Sequence, residues 1–248
     1  MAESEFRAAS APPSNLFWGM PPEDVDSILT AARPHRVAAK SLITKAGDDS
    51  EYLFFLWQGR ARFFHETLNG KKLISIWVTP GHMIGGAALS RRPYPYILSS
   101  EAVQDSVLLF WDSATIRTLG KGFPTLLENL LRCATDYVTW FVAAHAALAS
   151  ETAQERLAHL LVTLGPVIGE KVSDDIEIDV TNEELAESVA ITSSTASRIM
   201  TEWERIGAIQ KRRGKVVLHS AGRLFGDLPS SKSVGSACHE KSSTNQPH

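Results

Sequence analysis

The pattern of apolar residues changes at Pro124, and this change limits the fold more than any other feature of the chain. From about Val37 to Trp111, short runs of Val, Ile, Leu, Phe and Tyr are separated by turn residues, including the pair Asn69-Gly70. Runs of this length between turns are typical of antiparallel strands, and Asn-Gly favours a hairpin because both residue types tolerate a positive φ. The sequence therefore predicts a compact β-domain over residues 21–123.

The segment 124–150 has the spacing of a long helix. Its apolar positions alternate steps of three and four residues: Leu127, Leu130, Ala134, Tyr137, Phe141, Ala144 and Leu148. A stripe of this kind packs either on its own domain or on the same stripe of a second chain. Because small alanines alternate with aromatic residues along so long a stripe, we predict that residues 124–150 form a dimerisation helix.

Two short helices are predicted after residue 180. Thr181 and Glu184 have the spacing of a capping box, in which the hydroxyl and the carboxylate each bind an unpaired amide of the first turn. After a short turn, Thr192 is positioned to cap a second helix, which is expected to end before Gly207. Two short helices joined in this way form a helix-turn-helix unit.

The first turns of the second helix carry hydroxyl groups and one arginine. A recognition helix presents its N-terminal residues to base edges in the major groove. The candidate DNA-contacting residues of this helix are Thr192, Ser193, Ser194, Thr195, Ser197 and Arg198. Arg198 alone can bind the O6 and N7 atoms of guanine together. The alternative for Arg198 is a surface ion pair with Glu202.

A basic turn follows the second helix. The run Lys211, Arg212, Arg213, Gly214, Lys215 lies between two short apolar segments, which predicts two strands joined by a basic turn, as in a wing. Six basic and two acidic residues lie between Thr192 and Lys215, although the whole chain has a formal net charge of −3. Positive charge is thus concentrated where phosphates would lie. We predict a winged helix-turn-helix domain over residues 151–226.

The segment Thr181–Leu218 resembles the C-terminal domain of the CRP/FNR family of bacterial transcription regulators. The resemblance extends upstream through the run "GDDSEYLFFLWQGRARFF" to the start of the β-domain. It implies an α+β fold with an N-terminal β-roll (a double-stranded β-helix), a long dimerisation helix and the winged helix-turn-helix. The implied partners are double-stranded DNA, a second copy of the chain and, for an activator, RNA polymerase. An effector would act through a hinge near Ser150–Glu151.

The resemblance also indicates where an effector would bind. The corresponding residues are Gly85, Gly86, Tyr96, Ile97, Phe141 and Val142. Nucleotide-binding members have Phe-Gly-Glu where this chain has Ile84-Gly85-Gly86, an Arg-Ser pair at Tyr96-Ile97, and Thr-Ser at Phe141-Val142. A buried phosphate without its guanidinium would be poorly compensated. We therefore predict that the chain binds neither cyclic AMP nor cyclic GMP.

The resemblance leaves two cofactor alternatives open. Iron–sulfur members carry a group of N-terminal cysteines, whereas the first cysteine of this chain is Cys133. A haem-dependent regulator is one alternative, since His65, His82 and His145 could supply axial nitrogens. A thiol switch at Cys133 is the other. Because a single histidine or cysteine is more often a packing residue, we predict no cofactor and no metal site.

The ends of the chain differ in composition from its middle. Residues 1–20 are rich in Ala, Ser and Pro, and residues 227–248 are rich in Ser and Lys, so we expect both to be disordered. Neither a signal peptide nor an apolar stretch long enough to span a membrane is apparent, and two cysteines are too few for a disulfide framework. We expect a cytoplasmic protein without a membrane partner.

Other classes of function have less support in the sequence. No His-Asp-Ser set, metal-ligand spacing or phosphate-binding glycine loop occurs, so we predict that the chain is not an enzyme. The main alternative is a small-molecule sensor whose helix-turn-helix contacts another protein. A steep salt dependence of binding to duplex DNA would separate the two, because phosphate contacts release counterions.

Overall fold

The N-terminal part of the chain is a roll of two four-stranded antiparallel sheets. The fold is described from a computed structural model, which covers residues 6–92 and 94–226. The strands are β1 (Arg33–Val37), β2 (Leu42–Thr44), β3 (Tyr52–Gln58), β4 (Ala61–Glu66), β5 (Lys72–Val78), β6 (Met83–Ile84), β7 (Ser99–Ala102) and β8 (Ser106–Asp112). The sheet orders are β1-β8-β3-β6 and β2-β7-β4-β5. Apolar side chains from both sheets meet between them, as in the predicted β-roll.

Residues 6–20 form an ordered segment on the roll, so the prediction that residues 1–20 are disordered is wrong over this range. The segment contains two short 3-10 helices, Ala8–Ser10 and Asn15–Phe17, and leads into α1 (Pro22–Thr30). Leu16 is 1% exposed. The side-chain amide of Asn129 donates hydrogen bonds through Nδ2 to the carbonyl oxygens of Leu16 and Trp18, at 3.0 and 2.9 Å. The composition did not reveal this because the binding site for Leu16 comes from distant residues. The tail 227–248 lies outside the described residues.

A long helix follows the roll. Helix α2 (Ser113–Gly122) leads into α3 (Pro124–Ser150), which has the range predicted for the dimerisation helix. Leu130 is 2% exposed, and the Tyr137 hydroxyl donates a hydrogen bond to the Met83 carbonyl at 2.5 Å. These two residues pack on the roll of their own chain, so their assignment to a dimer seam is wrong. The helix has two apolar faces, and spacing alone does not show which of them the roll covers.

The other face of α3 carries exposed apolar side chains. Leu127, Leu131, Val138 and Val142 are all exposed and follow one another at steps of four, seven and four residues. These steps keep them on one side of a helix. The exposed side chains of the predicted stripe are Leu127, Ala134, Phe141, Ala144 and Leu148. Leu131, Val138 and Val142 were not part of that stripe.

The C-terminal part is a helical domain with a small sheet. Its elements are α4 (Ala153–Ile168), β9 (Gly169–Val172), β10 (Asp175–Ile178), α5 (Asn182–Ser188), α6 (Ser193–Arg205), β11 (Ile209–Arg212), β12 (Lys215–Leu218) and α7 (Ala221–Leu224). The sheet order is β11-β12-β10-β9. Thr152 and Glu155 form a capping box at the start of α4, so only Glu151 and Thr152 separate it from α3. The predicted α+β fold is confirmed.

No helix in the described ranges has both the length and the apolar character needed to cross a membrane.

Candidate nucleic-acid interface

Helices α5 and α6 form the predicted helix-turn-helix. The Glu184 amide donates to Thr181 Oγ1 at 3.2 Å, and the Glu184 carboxylate accepts from the Thr181 amide at 2.8 Å. The Thr195 amide donates to Thr192 Oγ1 at 3.2 Å. Both helix starts are therefore fixed by the capping residues that the sequence predicted. Between the helices, Ala190 has a φ of +55°, which turns the chain sharply.

One face of α6 holds the domain together and the other is open. Ala196, Ile199, Met200 and Trp203 are buried in the domain core together with Leu185 and Ala186 of α5. On the outer face, Ser193, Ser194 and Arg198 are exposed, and an open groove is lined by Ser194, Ser197, Arg198, Thr201 and Glu202. Because the inner face of α6 is packed into the core, the first turns of α6 are held at the surface of the domain.

The hydroxyl groups at the start of α6 divide into two sets. Thr192 Oγ1 lies 2.9 Å from Ser194 Oγ and 2.8 Å from Thr195 Oγ1, in addition to its bond with the Thr195 amide. Thr192 and Thr195 therefore serve the helix cap first. Ser193 and Ser197 have hydroxyls outside this cap network, whereas the Ser194 hydroxyl is exposed but hydrogen-bonded to Thr192.

Arg198 does not form the ion pair that was considered for it. Glu202 instead binds Arg205, with the Nε–Oε2 distance at 3.0 Å and the Nη2–Oε1 distance at 2.7 Å. This hydrogen-bonded pair lowers the pKa of Glu202. Within residues 6–92 and 94–226, Arg198 has no ion-pair partner. Its guanidinium is exposed in the groove and has all its donors available.

Strands β11 and β12 form the predicted wing, with the turn at Arg213 and Gly214. Gly214 has a φ of +73°, a backbone conformation that glycine adopts without a steric penalty. The two strands pair in register from Ile209 opposite Leu218 to Arg212 opposite Lys215.

Most wing cations are paired within the domain. Glu177 of β10 binds both Arg212 (Nη1–Oε2, 2.7 Å) and Lys215 (Nζ–Oε1, 2.5 Å). The hydrogen bond from Lys215 is the main cause of a lowered pKa at Glu177. Glu204 accepts from the Lys211 amide at 2.8 Å and pairs with its Nζ at 3.1 Å. In the described part of the chain, Arg213 has no such partner.

The carboxylates that hold the wing were not identified from the sequence. Glu177 is on strand β10, which was not predicted from the sequence, and Glu204 is on α6, seven residues before Lys211 in the chain. The local run of basic residues therefore overstated the free positive charge of this surface. The available signal in the sequence was the alternation of acidic and apolar residues over 175–179, with Asp175, Glu177 and Asp179 as the acidic positions.

Two of the predicted effector residues, Gly85 and Tyr96, lie against each other. Gly85 has a φ of +87°, and a Cβ added there would lie 3.0 Å from Tyr96 Cε1, so the tyrosine ring packs on the glycine. The Tyr96 hydroxyl donates to the Tyr52 carbonyl at 3.1 Å and accepts from the Tyr52 amide at 3.3 Å. Burial raises the pKa of Tyr96. Gly86 follows in the same turn.

The other predicted effector residues are on the surface of the single chain. Ile97, Phe141 and Val142 are exposed. Phe141 and Val142 lie on α3, beyond the part of the helix that the roll covers. The grouping of these three with Gly85 and Tyr96 in one effector pocket stays a prediction.

Comparison with known proteins identifies the family. A model of the cyclic nucleotide-binding domain matches residues 34–121, and a model of the Crp-like helix-turn-helix domain matches residues 155–224. The two matches cover the roll and the helix-turn-helix in one chain. The chain belongs to the CRP/FNR family of transcription regulators. CRP/FNR members are DNA-binding regulators and not enzymes, and they typically form dimers.

Individual CRP/FNR relatives are distant but align over most of the chain. The cyclic AMP receptor protein of Thermus thermophilus is 24% identical over 216 residues, which are 85% of this chain and 95% of that protein. The fumarate and nitrate reduction regulatory protein of Salmonella typhimurium is 18% identical over 204 residues, 82% of this chain and 80% of that protein. The structure of FixK2 from Bradyrhizobium japonicum superposes with a TM-score of 0.70 at 18% identity, covering 82% and 99% of the chains. The similarity to FixK2 concerns the fold alone.

Proposed function

We propose that this CRP/FNR regulator acts as a homodimer that reads a two-fold symmetric DNA site with helix α6 of each protomer. The observation that carries the proposal is the outer face of α6. Arg198 is exposed there and has no ion-pair partner among the described residues, with Ser193, Ser194 and Ser197 beside it. An unpaired arginine can bind guanine through two hydrogen bonds, whereas serine hydroxyls contact phosphates or either kind of base pair.

The wing supplies the backbone contacts in this proposal. Lys211, Arg212, Arg213 and Lys215 flank α6 and would bind phosphates next to the bases that Arg198 reads. Arg213, which has no carboxylate partner among the described residues, would bind a phosphate directly. The other three cations would share their carboxylate partners with the phosphates or leave them.

The dimer in this proposal forms through the exposed face of α3. The apolar side chains Leu131, Val138 and Val142 are 70%, 61% and 63% exposed in the single chain. A continuous apolar stripe on a 27-residue helix is the kind of surface that pairs with a second copy of itself. Pairing along this helix would set the two copies of α6 about one DNA turn apart, roughly 34 Å.

We propose further that the regulator binds DNA without a cyclic nucleotide and without a cofactor. Aromatic side chains of α3 pack on the roll: the ring of Tyr137 lies 5.8 Å from that of Phe63 and 5.3 Å from that of Trp140. The Tyr96 ring covers the turn at Gly85. An apolar interior gives a buried phosphate no charged partner. Calorimetric titration with cyclic AMP and cyclic GMP should show no binding, and micromolar affinity for either would contradict the proposal.

Contact with RNA polymerase is proposed only for promoters where the bound regulator activates transcription.

The experiment that tests the proposed function is selection of bound sequences from a random duplex library. The purified protein is used at near-physiological salt and with no ligand added. Enrichment of a two-fold symmetric motif is the expected result. If the library yields no motif even in the presence of a small-molecule extract, sequence-specific reading by α6 is wrong.

Salt dependence distinguishes this function from a helix-turn-helix that contacts protein. The affinity for the selected duplex should fall steeply between low and physiological salt, because phosphate contacts release counterions. Binding that is indifferent to salt would favour the protein-contact alternative.

A further inference from the structure

The β4–β5 hairpin of the roll is joined to the DNA-binding domain by a cluster of charged side chains. Arg62 of β4 lies at its centre. Its guanidinium binds Glu101 of β7 (Nη2–Oε1, 2.6 Å) and Glu184 of α5 (Nη1–Oε1, 3.1 Å), with Glu187 at 3.9 Å. The side chains of Arg62, Glu101 and Glu184 are 14%, 7% and 16% exposed. One arginine therefore links the two domains from a largely buried position.

Glu184 has two functions in this cluster. Its Oε1 atom binds Arg62, while its Oε2 atom accepts hydrogen bonds from the amide and the hydroxyl of Thr181 at 2.8 and 2.9 Å. The same carboxylate that closes the cap of α5 therefore holds α5 to the roll. Any rotation of the DNA-binding domain away from the roll must break the Arg62 contact.

A second pair of contacts lies beside the first. Arg60 binds Asp179 (Nη2–Oδ2, 2.9 Å), and its guanidinium lies 5.6 Å from the ring centre of Trp77. The Trp77 indole donates a hydrogen bond to Ser188 Oγ at 3.3 Å. Trp77 belongs to β5 of the roll but packs against the core of the DNA-binding domain. The contacts span α5 from its cap to its last residue.

A short linker joins the two domains. Only Glu151 and Thr152 separate α3 from α4, and both have extended backbone conformations. The linker is also tied to α4, because Arg156 Nη1 donates to the Glu151 carbonyl at 2.7 Å and His159 Nδ1 lies 2.9 Å from Glu151 Oε2. The contacts between the roll and α5 are those that reach from the roll to the DNA-binding domain. The outer face of α6 stays exposed in this arrangement. In the orientation that these contacts hold, the outer face of α6 is therefore accessible to DNA.

We propose that Arg62 is a positioning residue for DNA recognition: by holding Glu184 it fixes the orientation of the helix-turn-helix relative to the roll, and so the spacing of the two copies of α6. This inference rests on the proposed function. Arg62 itself does not contact DNA and acts only through its contact with α5. Breaking a largely buried pair leaves the remaining charge without compensation, which makes the contact selective for one orientation.

The first part of the test needs no DNA. The protein is labelled with 5-fluorotryptophan, and the six fluorine resonances are assigned with single Trp→Phe variants. In Arg62→Met and in Glu184→Gln, the Trp77 resonance should shift or broaden because its contact with α5 becomes transient. The resonances of Trp111 in the roll and Trp203 in the DNA-binding domain should stay in position, because each is buried in its own core. Glutamine can still complete the capping box of α5.

The second part measures half-site spacing. Duplexes carry the two selected half-sites with the native spacer or with one or two base pairs added or removed. Wild type should prefer the native spacer, whereas Arg62→Met should bind it about tenfold more weakly and lose the preference among spacers. Binding to a duplex with a single half-site should not change. Arg36→Met, an exposed arginine on β1 of the roll, is the matched control and should behave as wild type.

The outcomes separate this inference from the proposed function. An unchanged Trp77 resonance, or an Arg62→Met variant that keeps the spacer preference of wild type, overturns the positioning role. If wild type itself selects no DNA motif, the proposed function fails, and the Trp77 resonance still decides whether Arg62 holds the two domains together.

Discussion

Glu202 and Arg205 share two hydrogen bonds near the end of α6, at 3.0 and 2.7 Å, and among the described residues no carboxylate then pairs with Arg198, four residues before Glu202. Replacing Arg198 with Ala should therefore remove a base contact and break no ion pair. We expect the variant to lose preference at one base pair in each half-site, worth about 1–3 kcal/mol of discrimination. Library selection with both proteins measures this. Arg36→Ala is the control, because Arg36 is an exposed arginine on β1 of the roll; if Arg198→Ala selects the same motif as wild type and this control, Arg198 reads no base.

The Arg213→Ala variant should weaken DNA binding without changing its sequence preference. Arg213 is at the turn of the wing and has no ion-pair partner within the described ranges. We expect a uniform loss of affinity for all duplexes, and a decrease of about 1 in the slope of log K against log salt. Titrations at several salt concentrations give both values. A changed motif, or an unchanged slope, would argue against a phosphate contact.

The Val138→Glu variant should be monomeric. Val138 is exposed in the middle of the apolar face of α3, where a second copy would bury it. A buried carboxylate without a partner costs several kcal/mol, enough to dissociate a helix pair at micromolar concentration. Sedimentation velocity compares it with Ala143→Glu, an equally exposed position on a different side of the same helix. A dimeric Val138→Glu protein would place the dimer contact elsewhere.

The Leu16→Ala variant should destabilise the roll. Leu16 is 1% exposed although it lies in the segment whose composition suggested disorder. Removing a buried leucine side chain costs about 2–5 kcal/mol of the free energy of unfolding. Urea denaturation measures this, and Leu68→Ala at a fully exposed position of the β4–β5 hairpin should cost less than about 0.5 kcal/mol. Equal stability of the two variants would mean that the N-terminal segment does not dock in solution.

The ionisation of Glu101 should make stability depend on acid pH. Burial opposes its ionisation, but the hydrogen bonds from Lys72 and Arg62 outweigh burial and lower its pKa below the ordinary value of 4.5. A carboxylate with a lowered folded-state pKa stabilises the protein above its unfolded pKa, and this stabilisation is lost as the pH falls through the folded pKa.

The difference in free energy of unfolding between wild type and Glu101→Gln should therefore be constant down to about pH 5 and shrink below it. Denaturation at a series of pH values measures the difference. The control is Glu66→Gln, an exposed carboxylate at the end of β4. A difference that grows on acidification would mean that the folded state favours neutral Glu101.

Features that depend on residues close together in the chain could be predicted before the fold was known. The caps at Thr181 and Thr192, the start of α3 at Pro124 and the glycine turn of the wing each involve a few neighbouring residues. Local backbone preferences and hydrogen bonds are sufficient for them. The family resemblance added the order of the domains.

Only the tertiary structure decided which surfaces are covered and which charges are free. Glu177 reaches Lys215 from another strand, Leu16 is buried by residues far along the chain, and Tyr137 faces the roll instead of a second copy. Periodicity gives the faces of a helix but not their neighbours, and a count of basic residues does not include carboxylates that arrive from other elements. The face of α3 that remains for a partner and the unpaired state of Arg198 follow from packing between distant segments.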